Sequence, residues 1–310
     1  MTKRWSTADI PSQAGRVAVI TGGTGGLGLE AARALASAGA RVVIAAPDTA
    51  KVAHALTTIR AGHPSGEVEF RPLNTASLAS VRGFADRWGD EGRAIDILLL
   101  NAGISNVPTR EVTVDGFERQ LATNYLGHFA LTGLLLPFVV AARRSRVVAV
   151  SSLQHAHAEL HLEDLQLTAQ YTPMRAYGQS KLAMLMFALE LDRRLVHAHS
   201  PVASIAAHPG VATTGIVSAG GRAGPIRRLL AKTAFGLVGQ SPARGALPLL
   251  FAATAPEARH GGYYGPDGAG ERRGAPAPAR IAPRAQDHEL AARLWSISEQ
   301  LSGSWPDREN

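Results

Sequence analysis

The sequence predicts an α/β protein with a doubly wound parallel sheet and helices on both faces. First, short apolar runs rich in β-branched residues alternate with stretches whose apolar residues recur at helical spacing. Second, these runs are nearly apolar throughout, which is typical of strands buried on both faces of a parallel sheet. Third, a cluster of glycines, residues 22–28, joins the first run to the first helical stretch. A glycine turn in this position is typical of Rossmann-type domains.

The individual elements follow from the same patterns. Residues 17–20 predict the first strand, and Gly39 marks the end of the helix behind the glycines. Further strands are predicted at residues 41–45, 68–73, 95–100, 146–150, 202–207 and 262–264. Further helices are predicted at residues 49–60, 78–88, 115–141, 175–195, 241–254 and 286–301.

Two stretches show no helical or strand period. Residues 153–172 are predicted to form a loop, and residues 267–284, rich in Gly, Pro, Ala and Arg, are predicted to form a surface tail. Neither resembles a linker to a second core. We therefore predict one domain over residues 1–310, with its core at about residues 14–302.

The composition excludes several kinds of site. The chain of 310 residues contains no cysteine, which rules out disulfides, thiolate metal sites and a cysteine nucleophile. Its first ten residues lack the apolar segment of a signal peptide. The longest nearly apolar run, residues 129–142, contains Pro137 and falls short of the roughly 18 residues of a membrane span. We predict a cytoplasmic protein without stable membrane insertion.

The formal net charge of +7 raises the question of a nucleic-acid partner. The basic residues are spread over the whole chain, and no aromatic residues interleave with the densest basic pairs. Solvated faces explain this distribution better than a nucleic-acid surface does. We therefore predict no nucleic-acid partner.

The glycine turn predicts a phosphate-binding site. Glycine lets the backbone adopt a positive φ and approach a ligand without a Cβ in the way. The N-terminus of the following helix then offers free N–H groups and the positive end of its dipole to a pyrophosphate. An ordinary glycine-rich turn would have the same composition, but the strand before it and the helix after it favour a dinucleotide site.

Several motifs extend this prediction along the chain. They are T-G-G-T-G-G-L-G at 21–28, L-N-A-G at 100–103, N-Y-L-G at 124–127, S-S at 151–152, Y-G-Q-S-K at 177–181 and H-P-G-V-A-T-T at 208–214. In this order and spacing they resemble the short-chain dehydrogenase/reductase family. G-G-Y-Y-G-P-D-G at 261–268 and R-L-W at 293–295 resemble its retinol-dehydrogenase-like branch. The resemblance covers about residues 14–302.

The resemblance implies an NAD(P)-dependent enzyme with four catalytic residues, Asn124, Ser152, Tyr177 and Lys181. In the family, the lysine also holds the nicotinamide ribose, and the asparagine holds a water in a proton relay. Ser151 is the alternative to Ser152, and the second serine is favoured because the family usually uses that position.

The residue types support this chemistry. Tyr177 and Lys181 stand four positions apart in a predicted helix and share one face. A tyrosine with a pKa near 10 is a poor acid or base at neutral pH, but a nearby ammonium lowers that pKa. Lowering it by about 3 units takes about 4 kcal/mol, which a buried ammonium and a positive nicotinamide ring could supply together. Tyr177 would exchange a proton with the substrate oxygen, which Ser152 orients.

The matching motifs also imply the residues that hold the dinucleotide. These are Thr21, Gly22, Thr24, Gly26, Leu27, Gly28, Asp48, Lys51, Asn74, Thr75, Asn101, Ala102, Gly103, Tyr177, Lys181, Pro209, Gly210, Val211 and Thr214. Residues 45–48, A-A-P-D, depart from the family at the adenosine end. They lack both the arginine common in NADP-preferring relatives and the acid common in NAD-preferring ones.

The choice between NAD and NADP depends on this adenosine end. Asp48 lies two positions late for the usual ribose contact, and Asn74 replaces a common aspartate with an amide that can still accept a bond from adenine. No acid at Ala46 repels a 2′-phosphate, and Lys51 is nearby. The predicted cofactor is NAD(P)(H), with NADP(H) slightly favoured.

Substrate contacts are predicted at Ser152, His155 and Tyr177, and the substrate is expected to be a largely apolar carbonyl or alcohol. Three histidines at positions 155, 157 and 161, with nearby carboxylates, could suggest a metal. His157 and His161 are four positions apart but lie in a predicted loop, so no helical histidine pair is evident and no metal is predicted. The glycine-rich segment 214–240 is expected to close over the substrate as a lid.

The predicted function is hydride transfer between a nicotinamide cofactor and an alcohol or carbonyl, with Tyr177 as acid and base. One alternative is a catalytically silent dinucleotide-binding sensor or interaction protein of the same fold. Another is a membrane-surface protein anchored by the amphipathic residues 226–237. The helices at 115–141 and 175–195 could also form a homodimer interface, as they do in the family.

Overall fold

The computed structural model describes residues 4–47, 50–212 and 239–305. Its strands form one sheet in the order β3-β2-β1-β4-β5-β6-β7-β8, in which only β8 runs antiparallel to its neighbour. The strands are β1 Val17–Thr21, β2 Arg41–Ala46, β3 Val68–Pro72, β4 Ile97–Leu100, β5 Arg146–Val150, β6 Ala203–Ala207, β7 Tyr263–Pro266 and β8 Pro276–Pro278. This sheet confirms the predicted fold class.

The helices cover both faces of the sheet. They are α1 Gly26–Ser37, α2 Ala50–Arg60, α3 Leu78–Glu91, α4 Gly127–Val140, α5 Pro173–His197, α6 Pro242–Gly245, α7 Leu247–Thr254 and α8 His288–Ser302. A short helical turn, Arg119–Leu121, and a π-helical turn, Ala122–Leu126, lead into α4. The strand order reverses beside β1, which pairs with β2 on one side and with β4 on the other. Ligands of open α/β sheets bind at such a switch point, beyond the carboxyl ends of the strands.

The core has two layers because successive strand residues point to opposite faces. In β1, Val17 and Val19 pack with α3, α4, α5 and α8, whereas Ala18 and Ile20 pack with α1, α2 and α7. The first layer is aromatic at its centre, where the ring centroids of Phe129 and Trp295 are 5.0 Å apart. Together the layers hold the carboxyl ends of β1, β4 and β5 in one row.

Several predicted boundaries change. The predicted surface tail at 267–284 is wrong in part, because it contains β8. Its alternating prolines cannot donate hydrogen bonds, and such residues are tolerated only at the edge of a sheet. The predicted loop at 153–172 contains the 3₁₀ helices Leu153–His157 and Leu162–Asp164. The predicted helix at 241–254 is divided at Ala246 into α6 and α7.

Among the described residues, one helical stretch, Arg119–Val140, has the length and hydropathy of a membrane span, but 67% of its most apolar window is buried inside the protein. Core helices of soluble proteins share these properties. The predicted lid, residues 214–240, lies outside the described residues except for its last two positions. The amphipathic stretch 226–237 lies entirely outside them.

Candidate active site

The glycine turn follows β1 and has the backbone that a phosphate site requires. Gly22 has a φ of 70°, and a Cβ added there would lie 2.8 Å from the Cα of Ala102. Gly26, the first residue of α1, also has a positive φ, 54°. Gly25 caps α1 without a side-chain hydrogen bond, so the first turn offers its N–H groups to a ligand.

Thr21 and Asn101 support the turn from below. The Thr21 hydroxyl accepts hydrogen bonds from the backbone N–H groups of Asn101 and Ala102, at 2.8 and 2.9 Å. The Asn101 amide donates to the carbonyls of Thr21 and Gly22, at 2.9 and 3.3 Å. Besides the cofactor contacts predicted for them, Thr21 and Asn101 therefore join β1 to the end of β4.

A cleft of about 740 Å³ opens beside this turn, a volume typical of ligand pockets. It brings together ten of the predicted cofactor residues: Gly22, Thr24, Gly26, Leu27, Lys51, Asn74, Thr75, Asn101, Ala102 and Gly103. Sequence reasoning missed other lining residues, including Ile104, Thr113, Val114 and Thr123. Thr113 and Val114 belong to a loop closed by a bridge between Val112 and Glu118, for which the sequence offers no periodic signal.

At the adenosine end, the described rim presents little negative charge. Lys51 lines the cleft and is exposed, whereas Arg119 is paired with Glu111. The Asn74 side-chain oxygen accepts a hydrogen bond from the Ala76 N–H, at 3.0 Å. A carbonyl oxygen has a second lone pair, so this contact still permits an adenine bond. Asp48 and Thr214, predicted to hold the cofactor, lie outside the described residues.

The predicted catalytic residues converge at the ends of β5 and α5. Ser152 is the second residue after β5, and Tyr177 and Lys181 lie on α5. Lys181 is buried, and its Nζ donates to the Val150 carbonyl at 2.9 Å. A Cβ added to Gly103, in the wall of the cleft, would lie 3.4 Å from Nζ. The lysine therefore lies directly behind Gly103, although Ser152, Tyr177 and Lys181 are not themselves among the residues that line this cleft.

The structure distinguishes the two adjacent serines. The buried Ser151 hydroxyl donates to the Lys181 carbonyl at 2.8 Å, so it is directed into the protein. The Ser152 hydroxyl oxygen instead accepts from the Gln154 N–H at 3.3 Å, and the Ser152 side chain is near enough to Tyr177 to oppose the rise in its pKa.

The expected lowering of the Tyr177 pKa is not present in the protein alone. Burial raises the pKa of Tyr177, and the nearby Ser152 side chain opposes that rise. The Lys181 Nζ lies 5.9 Å from the centre of the tyrosine ring and is bonded to a carbonyl instead. Burial also lowers the pKa of Lys181 to about 8. The ammonium alone does not overcome the desolvation of the phenol.

Asn124 lies in the π-helical turn and is fully buried. Its side-chain oxygen accepts from the Ile104 N–H at 2.8 Å, and its Nδ2 donates to the Ile104 carbonyl and the Ser180 hydroxyl, each at 2.9 Å. The Asn124 carbonyl contacts the His128 Nδ1 at 3.1 Å. The polar atoms of the Asn124 side chain are thus used within the protein, and each carbonyl oxygen of the residue keeps a second lone pair that could accept from a water.

His155 does not present a free ring nitrogen to a substrate, in contrast to the prediction. Its Nδ1 lies 2.7 Å from the Ser152 carbonyl, and its Nε2 accepts from the Ala282 N–H at 3.3 Å. Both nitrogens are therefore used within the protein. Within residues 4–47, 50–212 and 239–305, no group of three or more His, Cys, Asp or Glu side chains could hold a metal ion.

The loop after β6 carries the predicted contacts Pro209, Gly210 and Val211. Gly210 has a φ of 65°, and a Cβ added there would overlap the Arg272 carbonyl oxygen. The same oxygen accepts a hydrogen bond from the Val211 N–H at 2.8 Å. Sequence reasoning missed that this loop is held by residues from the predicted tail.

The comparisons with known proteins agree with this geometry. A family model described as short chain dehydrogenase matches residues 16–222. Polyprenol dehydrogenase of Mus musculus is 42% identical over 300 residues, covering 95% of this chain and 86% of that protein. Retinol dehydrogenase 13 of Homo sapiens is 38% identical over 310 residues, covering 96% of this chain and 87% of that protein.

A crystal structure of an uncharacterised protein from Mycobacterium paratuberculosis is also similar, with a TM-score of 0.79 and 41% identity. It covers 98% of this chain and 99% of that chain.

The chain therefore belongs to the short-chain dehydrogenase/reductase family, in its retinol-dehydrogenase-like branch. It is an oxidoreductase that acts between alcohols and carbonyls with a nicotinamide dinucleotide. The glycine turn, the uncapped start of α1 and the cleft fit that cofactor.

Proposed function

We propose that this enzyme interconverts a largely apolar alcohol and its carbonyl, with Tyr177 as the acid and base. The carrying observation is the position of the buried Lys181, whose Nζ lies 5.9 Å from the centre of the Tyr177 ring and directly behind Gly103 in the wall of the cofactor cleft. The names of the relatives, which refer to retinol and polyprenol, support an apolar substrate.

Each proposed catalytic residue has one task. Tyr177 holds the proton that passes to or from the substrate oxygen, and Ser152 donates a hydrogen bond to the same oxygen and orients it. Lys181, held by the Val150 carbonyl, supplies positive charge beneath the cleft and a donor for the cofactor ribose. The nicotinamide, when bound, supplies or takes up the hydride. Because burial raises the pKa of Tyr177, the protein alone favours its phenol form at neutral pH.

We further propose a preference for NADP(H). Ala46 and Pro47 line the adenosine end without a carboxylate, and the exposed Lys51 lies on the same rim. A 2′-phosphate therefore meets a cation and no unpaired acid among the described lining residues.

We also propose that the enzyme forms a homodimer, is located in the cytoplasm and does not insert stably into a membrane. The burial of residues 119–140 within the protein supports the last of these.

The experiment is a panel of ketones, aldehydes and alcohols, followed through NAD(P)H absorbance, with the parent enzyme and Tyr177→Phe. The variant keeps the ring and loses only the hydroxyl. We expect its turnover to fall about a hundredfold or more, the scale for losing a positioned acid or base. Cofactor affinity should stay within about twofold.

Two outcomes would overturn the proposal. If the parent enzyme binds the dinucleotide but turns over no compound of the panel, the silent sensor is the better description. If Tyr177→Phe retains the parent rate, the proton is transferred elsewhere.

A further inference from the structure

Four side chains behind the catalytic residues form a connected polar group outside the cofactor cleft. They are His155, His208, Tyr263 and Glu271, and we name them the C-terminal anchor. The two histidines and Tyr263 are buried, and the Glu271 side chain is 20% exposed. Tyr263 and Glu271 come from the end of the chain, beyond the catalytic motifs.

One arm of the anchor reaches the catalytic serine. His155 donates from Nδ1 to the Ser152 carbonyl at 2.7 Å, and its Nε2 accepts from the Ala282 N–H at 3.3 Å. These two contacts require opposite roles of the ring nitrogens, which a neutral imidazole satisfies. His155 therefore links the backbone of Ser152 to the segment that follows β8.

The other arm reaches the loop after β6. His208 accepts at Nδ1 from the Gly210 N–H, at 3.2 Å, and its Nε2 lies 3.0 Å from a carboxylate oxygen of Glu271. The ring also lies against Gly265, where any Cβ would overlap it. The orientation of His208 is thus fixed from three sides, and with it the loop at 209–211.

Glu271 uses both carboxylate oxygens as acceptors. One accepts from His208, and the other accepts from the Arg280 N–H at 2.9 Å. Glu271 also has a φ of 55°, a conformation that side chains other than glycine rarely adopt. Such strain persists only where surrounding contacts determine it.

Tyr263 stands between the two arms. Its ring centroid lies 5.3 Å from that of His155 and 5.2 Å from that of His208. Its hydroxyl lies 3.4 Å from the His155 Nδ1. The nearby Ser151 side chain opposes the rise that burial causes in the Tyr263 pKa, and the Ser151 hydroxyl donates to the Lys181 carbonyl at 2.8 Å. Through His155 the anchor contacts the backbone of Ser152 directly, and Ser151 lies between Tyr263 and the backbone of Lys181.

We propose that His155 and Glu271 are positioning residues. Through them, the segment Tyr263–Ala282 separately fixes Ser152 and the cofactor loop Pro209–Val211. This inference rests on the proposed function for the role of Ser152 and of the loop. Neither side chain touches the reacting atoms, so their effects pass through the groups that they hold.

The two arms predict different kinetic defects. Glu271→Gln keeps the shape but offers one side-chain acceptor instead of two, so either His208 or the Arg280 N–H loses its partner. We expect the cofactor Kd to rise about tenfold, the scale of one lost charge-assisted hydrogen bond, with kcat at saturating cofactor changed less than about twofold. Glu289→Gln, an exposed position on α8, is the matched control and should change neither value.

The serine arm is tested with two substitutions of one residue. His155→Phe keeps a ring beside Tyr263 but removes the donor, and kcat should fall about tenfold with the cofactor Kd unchanged. His155→Asn places an amide N–H near the former Nδ1 and should recover kcat to within about threefold. Thermal unfolding of each variant measures any general loss of structure.

Opposite results would overturn the inference. They are an unchanged Kd in Glu271→Gln, a His155→Asn enzyme as slow as His155→Phe, or cofactor affinity and kcat that both fall in proportion to the unfolding temperature in every variant. Cofactor titration by calorimetry needs no turnover, so the Glu271 arm can be tested even if no substrate is found. Tyr177→Phe, assayed alongside, separates a failed anchor from a failed catalytic assignment.

Discussion

Lys181 carries a buried charge that the fold does not fully compensate, and its removal should stabilise the protein while impairing the enzyme. Among the described residues, the ammonium donates to the Val150 carbonyl at 2.9 Å and forms no ion pair with a carboxylate. Burial lowers its pKa from 10.5 to about 8. The substitution Lys181→Met keeps the length and apolar stem of the side chain.

The size of the pKa shift gives the free-energy cost of burying the Lys181 charge. At neutral pH the lysine is protonated in both states, so the folded state bears the desolvation cost, about 3 kcal/mol at 1.36 kcal/mol per unit. The variant removes that cost but leaves the Val150 carbonyl without its donor, a loss of about 1–2 kcal/mol. Lys181→Met should therefore raise the free energy of unfolding at pH 7 by about 1–2 kcal/mol.

The pH dependence of stability is opposite to that of a lysine whose pKa is raised on folding. Between pH 8 and 10.5 the unfolded state binds more protons than the folded state, so the parent protein gains stability as the pH rises. The variant lacks this gain of about 3 kcal/mol. Its advantage at pH 7 should vanish and become a deficit near pH 10.

Urea unfolding of both proteins at pH 7, 8.5 and 10 measures this difference. Comparing the pair removes the contribution of all other titrating groups. Turnover and cofactor binding at pH 7 should both fall, because the ribose contact and the positive charge are lost together. A variant that is less stable than its parent at every pH, by a constant amount, would refute the argument from the buried charge.

Three further predictions concern the cofactor and the proton. Gly25→Val should lower dinucleotide affinity at least about tenfold with the unfolding temperature unchanged, because a Cβ there meets no protein atom and its backbone is extended. Ala46→Asp should shift preference towards NAD(H) about tenfold by like-charge repulsion with the 2′-phosphate. Because burial raises the pKa of Tyr177, alcohol oxidation should increase from pH 7 to 9 by up to about tenfold per unit, and carbonyl reduction should not.

Each has its own control. Calorimetry of both cofactors with Gly25→Val would contradict the phosphate site if affinity were unchanged. Ala46→Asn, equal in size but uncharged, should leave the preference as it was, and a shift there would point to shape instead of charge. An oxidation rate that declines between pH 7 and 9, with the enzyme still folded, would remove Tyr177 as the titrating base.

The fold class, the elements of the sheet and the location of the cleft were accessible from the sequence. Apolar strands and the helices between them follow periodic patterns that depend on nearby residues only. The glycine turn adds a backbone requirement that few other residues satisfy. For this reason the elements from 17 to 207 were predicted to within a few residues, and ten of the predicted cofactor residues line one cleft.

The strand β8 escaped prediction for a physical reason. Its residues, P-A-P, lack the β-branched composition of a strand and cannot donate in a ladder. They belong to the sheet only because they pair with the neighbouring strand β7.

The sequence by itself determined the family, the kind of cofactor and the set of residue types that carry the chemistry. The tertiary structure decided that the Ser151 hydroxyl is bonded to the Lys181 carbonyl, that burial raises the Tyr177 pKa, and that both ring nitrogens of His155 contact groups of the protein. These depend on contacts between residues far apart in the chain, such as His155 with the Ala282 N–H across 127 positions. Desolvation and hydrogen-bond direction depend on what surrounds a side chain in space, and no local pattern of residues contains that information.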